Sequence, residues 1–161
     1  MKNKKKIYMM FFIIMFFVIM IGYTMIMPNA KEINEKTLNN NILEISKTKE
    51  VIDIKEVATF PWDKAYVIAP YMPKEEIAKR IGVSKLEISE TVSEGMNHII
   101  FMNEDKIECQ LYSNAYNVGY LFEFDYEDFD KGILELKYSD IHDLEVKKED
   151  DCVRLKYISK K

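Results

Sequence analysis

Hydrophobic and polar positions divide the chain into two unequal parts. Residues 7–27 read IYMMFFIIMFFVIMIGYTMIM, 21 residues without a formal charge. Beyond them, apolar residues come in short sets that alternate or recur every four positions. A helix of 21 residues rises about 31 Å at 1.5 Å per residue, close to the hydrocarbon thickness of a bilayer. The run lacks a polar face, so it predicts a single membrane-spanning helix. Tyr23 near its outer end suits the interface. A removed signal peptide is the alternative, giving a secreted product. That needs an apolar core of about 7–15 residues and a small-x-small cleavage site. Here the run is longer, and Pro28 and Ala30 make a poor site. No cysteine follows the run to accept a lipid.

The polar stretch 28–50, with Asn39-Asn40-Asn41 inside it, predicts a linker with local helix at most, lifting a domain off the membrane. Residues 52–57 (IDIKEV) read as a short strand or the entry to the fold. Residues 62–69 (WDKAYVIA) form a strand between Pro61 and Pro70. The spacing over 73–82 predicts a helix. Pro73 suits its first position after Met72, a weak N-cap, Glu75 and Glu76 its start, Lys79 and Arg80 its end, and Gly82 its stop. Ile77 and Ile81 share one buried face. Residues 95–102 and 106–113 flank Asn103-Glu104-Asp105 as a hairpin. Further strands are expected at 121–124, 144–147 and 152–158, the last two as a hairpin, and 133–138 reads as a strand or a turn of helix leading into Asp140. The sum is an α+β domain over 51–161, an antiparallel sheet with one helix packed on a face.

Charge sharpens the layout. Residues 1–6 form a basic cap with four lysines, leaving 19 basic residues against 27 acidic ones beyond the apolar run, a net −8. The positive-inside bias puts the cap in the cytoplasm and the domain outside. An acidic domain repels phosphate backbones, so nucleic acid is not an expected partner. The expected partners are the membrane and an envelope or surface protein. The outer compartment permits a Cys109–Cys152 bridge. Strand alternation opposes it: Cys109 shares the apolar face of Ile107 and Leu111, whereas Cys152 points with Arg154 and Lys156.

Residues Phe60 to Gly82 carry a frame F-x-W-D-x-x-Y-x-x-x-P-Y-x-P-x-E-x-I, filled by Phe60, Trp62, Asp63, Tyr66, Pro70, Tyr71, Pro73, Glu75 and Ile77. This frame resembles a segment of small secreted or membrane-anchored proteins of low-GC Gram-positive bacteria. The resemblance implies location and a one-domain architecture. It implies no catalytic residue.

Candidate chemistry is sparse. Trp62, Tyr66 and Tyr71 supply rigid contact area and are the candidate binding residues. The competing reading packs Trp62 and Tyr66 together under the helix as core, with Asp63 capping a turn. Asp125, Glu127, Asp128 and Asp130, followed by Asp140 and Asp143, offer hard oxygen ligands. Their spacing is not that of an EF-hand, so a solvated acidic loop anchored by Tyr126 and Phe129 is expected, with no metal. His98 reads as a core histidine. His142 beside Asp140 and Asp143 is the one arrangement resembling an oriented base, but no nucleophile motif accompanies it. The loop 114–120 (NAYNVGY) suits either recognition or an ordinary turn with two buried tyrosines. No phosphate-cradling glycine loop and no cofactor motif is present. The chain reads as a non-enzymatic, membrane-tethered extracytoplasmic domain that binds protein. An envelope-acting hydrolase and a structural subunit of a membrane complex are the alternatives.

Overall fold

The computed structural model describes residues 2–26, 29–90, 93–149 and 152–159. The first helix, α1, covers Lys2–Ile26. Its described side chains, residues 8–20, are all exposed. Among the described residues no helix is long and apolar enough to cross a membrane. The span expected over 7–27 extends past those side chains at both ends.

The stretch expected to be linker is a second helix and part of the core. Helix α2 covers Ala30–Ile45 and is capped by Asn29, whose side chain accepts from Glu32 N at 3.0 Å. Leu38 and Ile42, four apart, are fully buried. Its asparagines, poor helix formers in isolation, bond to neighbouring elements instead. Asn34 Nδ2 donates to Glu108 O at 2.8 Å, and Asn41 Nδ2 donates to Val57 O at 2.9 Å. Asn39 accepts from the Tyr120 hydroxyl. The folded unit therefore begins near Asn29 rather than at 51.

Two four-stranded sheets follow. Strands β1 (Val51–Asp53), β5 (Tyr120–Glu123), β7 (Asp143–Lys148) and β8 (Val153–Tyr157) form the first, in the order β1-β7-β8-β5. Strands β2 (Lys64–Ile68), β3 (Met96–Asn103), β4 (Lys106–Asn114) and β6 (Ile133–Lys137) form the second, in the order β4-β3-β2-β6. The expected hairpin is present, with β3 and β4 antiparallel and Asn103 opposite Lys106. Its turn is capped by Asp63, whose Oδ2 accepts from Glu104 N at 3.2 Å. Strands β7 and β8 also pair antiparallel, across a turn whose residues 150 and 151 lie outside those described. The single antiparallel sheet needs correction in two respects. There are two sheets, and β5 pairs parallel with β8. The chain crosses to the other sheet to make β6 before returning, so β5 and β8 are not joined by a hairpin.

Two clusters hold the fold. The larger lies between the sheets and takes Leu38 and Ile42 from α2, Phe101 and Leu111 from the second sheet, and Tyr120 and Leu155 from the first. The smaller lies on the outer face of the second sheet. There helix α4 (Lys74–Ile81) packs Ile77, Ala78 and Ile81 over Ile68, Ile100 and Ile133. Helix α4 is the one read from sequence. Pro73 is its N-cap, and Gly82 ends it in the left-handed region at φ 79°. Strand β3 is buried on both faces, which explains its unbroken apolar run HIIFM. Short helices α3 (Ile54–Val57) and α5 (Ala115–Val118) complete the described elements apart from two 3₁₀ turns.

Candidate functional site

At one end the two sheets part and leave a cleft of about 610 Å³. The end of β2 and the turn after it supply one lip, including Tyr71. The start of β3 supplies the floor, with the Asn97 side chain turned toward the first sheet and that of His98 turned to the opposite face. The end of β5 and the acidic segment after it supply the opposite wall, with Phe124, Asp125, Tyr126 and Phe129.

Local chemistry fixes each part. Asn97 is buried, and its side-chain amide behaves like a piece of neighbouring strand. Nδ2 donates to Tyr120 O at 3.0 Å, and Oδ1 accepts from Phe122 N at 2.8 Å. It thereby ties the edge of the first sheet to the second. Beyond that tie Phe124 stands against Phe129, edge to face at 6.3 Å, and tilts against Tyr157 at 5.4 Å. A 3₁₀ turn over Tyr126–Asp128 turns Tyr126 outward, leaving it 89% exposed. Across the cleft Tyr71 is 62% exposed and adopts φ 64°, a conformation bulky side chains rarely take.

Charge at the mouth is mainly negative. Glu94, Glu123 and Asp125 line it, with Lys156 the basic residue among them. Arg154 binds both Glu123 and Glu149, and these carboxylates push its pKa further up. Lys156 Nζ lies 4.0 Å from Asp125 Oδ1.

His98 is the buried histidine expected. Its ring meets Tyr112 edge to face at 5.4 Å. Its Nε2 lies 3.2 Å from the Gln110 amide, whose oxygen accepts from it when also facing Ser89 N. Burial pushes its pKa down to about 4. A histidine ordinarily titrates near 6.5, so between these values the unfolded chain binds a proton that the folded chain refuses. Stability conferred by His98 is complete above about pH 6.5 and is lost as the pH falls toward 4. The loss amounts to about 3 kcal/mol at about 1.4 kcal/mol per unit. Urea midpoints at pH 7 and pH 4 should therefore converge in His98→Gln relative to the wild type. Equal acid sensitivity in both proteins would remove His98 as the cause.

The three candidate binding residues do not converge. Trp62 is buried before β2, edge to face with Phe101 at 5.5 Å and with Tyr138 at 5.0 Å. Its indole N–H donates to Ala58 O at 3.2 Å. Tyr66 is half-buried and packs with the smaller cluster, on the other side of the second sheet. The expectation that Trp62 and Tyr66 share one face fails because Trp62 precedes the strand and escapes its alternation. Tyr71 alone reaches the cleft. Tyr126, expected as a core anchor, is instead its most exposed aromatic. Of the two tyrosines in 114–120, Tyr120 is buried and Tyr116 is exposed.

The two constellations singled out in the sequence lie apart from the cleft or have their groups otherwise engaged. The nitrogens of His142 are occupied by Lys137 O at 2.9 Å and the Tyr157 hydroxyl at 3.2 Å. A carbonyl only accepts, so Nε2 donates, and in the neutral ring Nδ1 accepts from the tyrosine. Asp140 accepts from the Ser139 hydroxyl at 2.8 Å. Cys109 and Cys152 are free thiols, and burial pushes the Cys109 pKa up to about 12. Among the described residues no group of three metal-binding side chains converges. No protein-family model, curated protein or solved structure matches the chain.

Proposed function

We propose that this chain is a membrane-tethered extracytoplasmic domain that binds a protein partner through the cleft between its sheets. The observation that carries the reading is the cleft itself, with Tyr71 and Tyr126 exposed at its mouth. Tyrosines give large, rigid contact area for little lost entropy, and concave aromatic sites are where binding energy concentrates. A hydrolase would need an acid and a base paired in such a cleft. The His98 ring faces the other side of the second sheet, against Tyr112 and Gln110, and His142 lies outside the lining.

The tether rests on the uncharged run 7–27, the lysine cap and the −8 beyond. The resemblance of Phe60 to Gly82 to small anchored proteins agrees with it. Residues 27 and 28 alone separate α1 from the N-cap Asn29. Three Cα steps span at most about 11 Å, so a domain on this anchor stays at the bilayer surface. A purely structural role, with the apolar helix as the interface, is the second reading, favoured by the exposed side chains of 8–20.

A photo-crosslinking residue at position 126 in intact membranes tests the binding site. It should capture one envelope protein that the same residue at Tyr116, also exposed, does not. The adduct should persist when 7–27 is replaced by an unrelated anchor. Loss of the adduct on that swap would favour the structural reading. Capture at 116 alone would move the binding site away from the cleft. Release of the wild-type chain from membranes by alkaline carbonate would overturn the tether.

A further inference from the structure

We propose that the cleft receives the ammonium or guanidinium side chain of a basic segment of the partner. This rests on the cleft as the binding site and adds the chemistry of what enters it. Two independent features meet there. The first is the wall: Phe124 and Phe129 stand edge to face, with Tyr126 and Tyr71 at the mouth. Aromatic faces attract cations through their quadrupole, and the stems of lysine and arginine pack along apolar walls while their heads reach polar groups.

The second is the balance of charge. Three carboxylates, Glu94, Glu123 and Asp125, line the cleft against Lys156. Arg154 holds Glu123, but it lies outside the lining. The Lys156–Asp125 pair is open at 4.0 Å, and both groups are exposed enough to exchange partners. Glu94 makes no ion pair with the described residues. The His98 ring lies on the other face of the second sheet, against Tyr112 and Gln110, and adds no charge to the cleft. An anionic side chain would be repelled by Glu94 and would have to compete for Lys156 with Asp125. The −8 carried beyond the apolar run would draw a basic segment toward the domain over a longer range.

Fluorescence anisotropy of the full chain in nanodiscs, with a labelled arginine-containing peptide and its glutamate counterpart as probes, tests this. The arginine peptide should bind and the glutamate peptide should not. Tyr126→Ala and Asp125→Asn should each weaken binding about tenfold. Glu104→Gln, which removes the same charge from the exposed β3–β4 turn at the end of β3 away from the cleft, should leave it unchanged. Equal losses at 125 and 104 would reduce the effect to general attraction and overturn the proposal. So would full binding by Tyr126→Ala or by the glutamate peptide. If position 126 crosslinks a partner while the arginine peptide neither binds nor competes, the cleft stands as the binding site and the cationic ligand falls.

Discussion

Replacing Ile42 with alanine should lower the unfolding free energy by about 2–5 kcal/mol, the range for truncating a fully buried aliphatic side chain. Ile42 is 0% exposed, and its neighbours include the tightly packed strands of both sheets. Losses of this size are a large part of the roughly 5–15 kcal/mol that holds a domain together. Ile33→Ala is the matched control. It lies on the same helix but is 51% exposed, and a surface substitution of this kind stays within about 0.5 kcal/mol. Urea unfolding of the full chain in nanodiscs, followed by fluorescence, reads both. Trp62 is the sole tryptophan and lies in the same cluster as Ile42, so it reports on the relevant core. A spacer would give two equal, small effects. Unequal effects place residues 30–45 inside the folded unit.

That helix also shows where the sequence misleads. Residues 73–82 were legible because acids then bases run along the helix and a glycine ends it, although Pro73, expected at the first helical position, is the N-cap one residue earlier. The β3–β4 hairpin was legible for a similar reason, a polar turn between two apolar runs. In α2 the signals conflict. Leu38, Ile42 and Ile45 keep helical spacing, but three consecutive asparagines between them read as linker. Asparagine disfavours a helix because its amide competes for backbone groups. Asn39 and Asn41 direct their amides to Tyr120 and Val57 instead, so tertiary bonds replace local ones. No pattern within the helix itself reveals that.

The cleft was hidden for a different reason. Its lining comes from segments remote in sequence, the turn after β2, the start of β3 and the segment after β5. Periodicity assigns residues to faces within one element and is silent about where two sheets part. Tyr71 was singled out for its residue type, and the structure places it at the cleft. Tyr126 was assigned inward because an aromatic among acids is usually an anchor. The 3₁₀ turn over Tyr126–Asp128 reverses that. The parallel pairing of β5 with β8 was equally illegible, since it depends on β6 joining the other sheet.

Asn97 should prove the most sensitive polar position, because two buried backbone groups depend on it. Asn97→Leu, similar in size, strands Tyr120 O and Phe122 N. Each unpaired buried group costs about 1–3 kcal/mol, so the loss should be about 2–6 kcal/mol, with the peptide site weakened because β5 forms its wall. Asn97→Asp separates the hydrogen bonds from general packing. A carboxylate still accepts from Phe122 N but turns an oxygen toward Tyr120 O, where Nδ2 now donates at 3.0 Å. Only the protonated acid satisfies both. Its folded pKa must then rise above the usual value of about 3.9. The folded state binds that proton more tightly than the unfolded one, so the variant's deficit is full at neutral pH and shrinks as the pH falls through the folded pKa. Taking the difference from the wild type at each pH cancels the acid loss due to His98. A deficit that stays constant between pH 7 and pH 4 would show that the amide donates nothing essential. The edge strand would then be held by β8 alone, and the cleft wall would owe its position to aromatic packing around Phe124 instead of to Asn97.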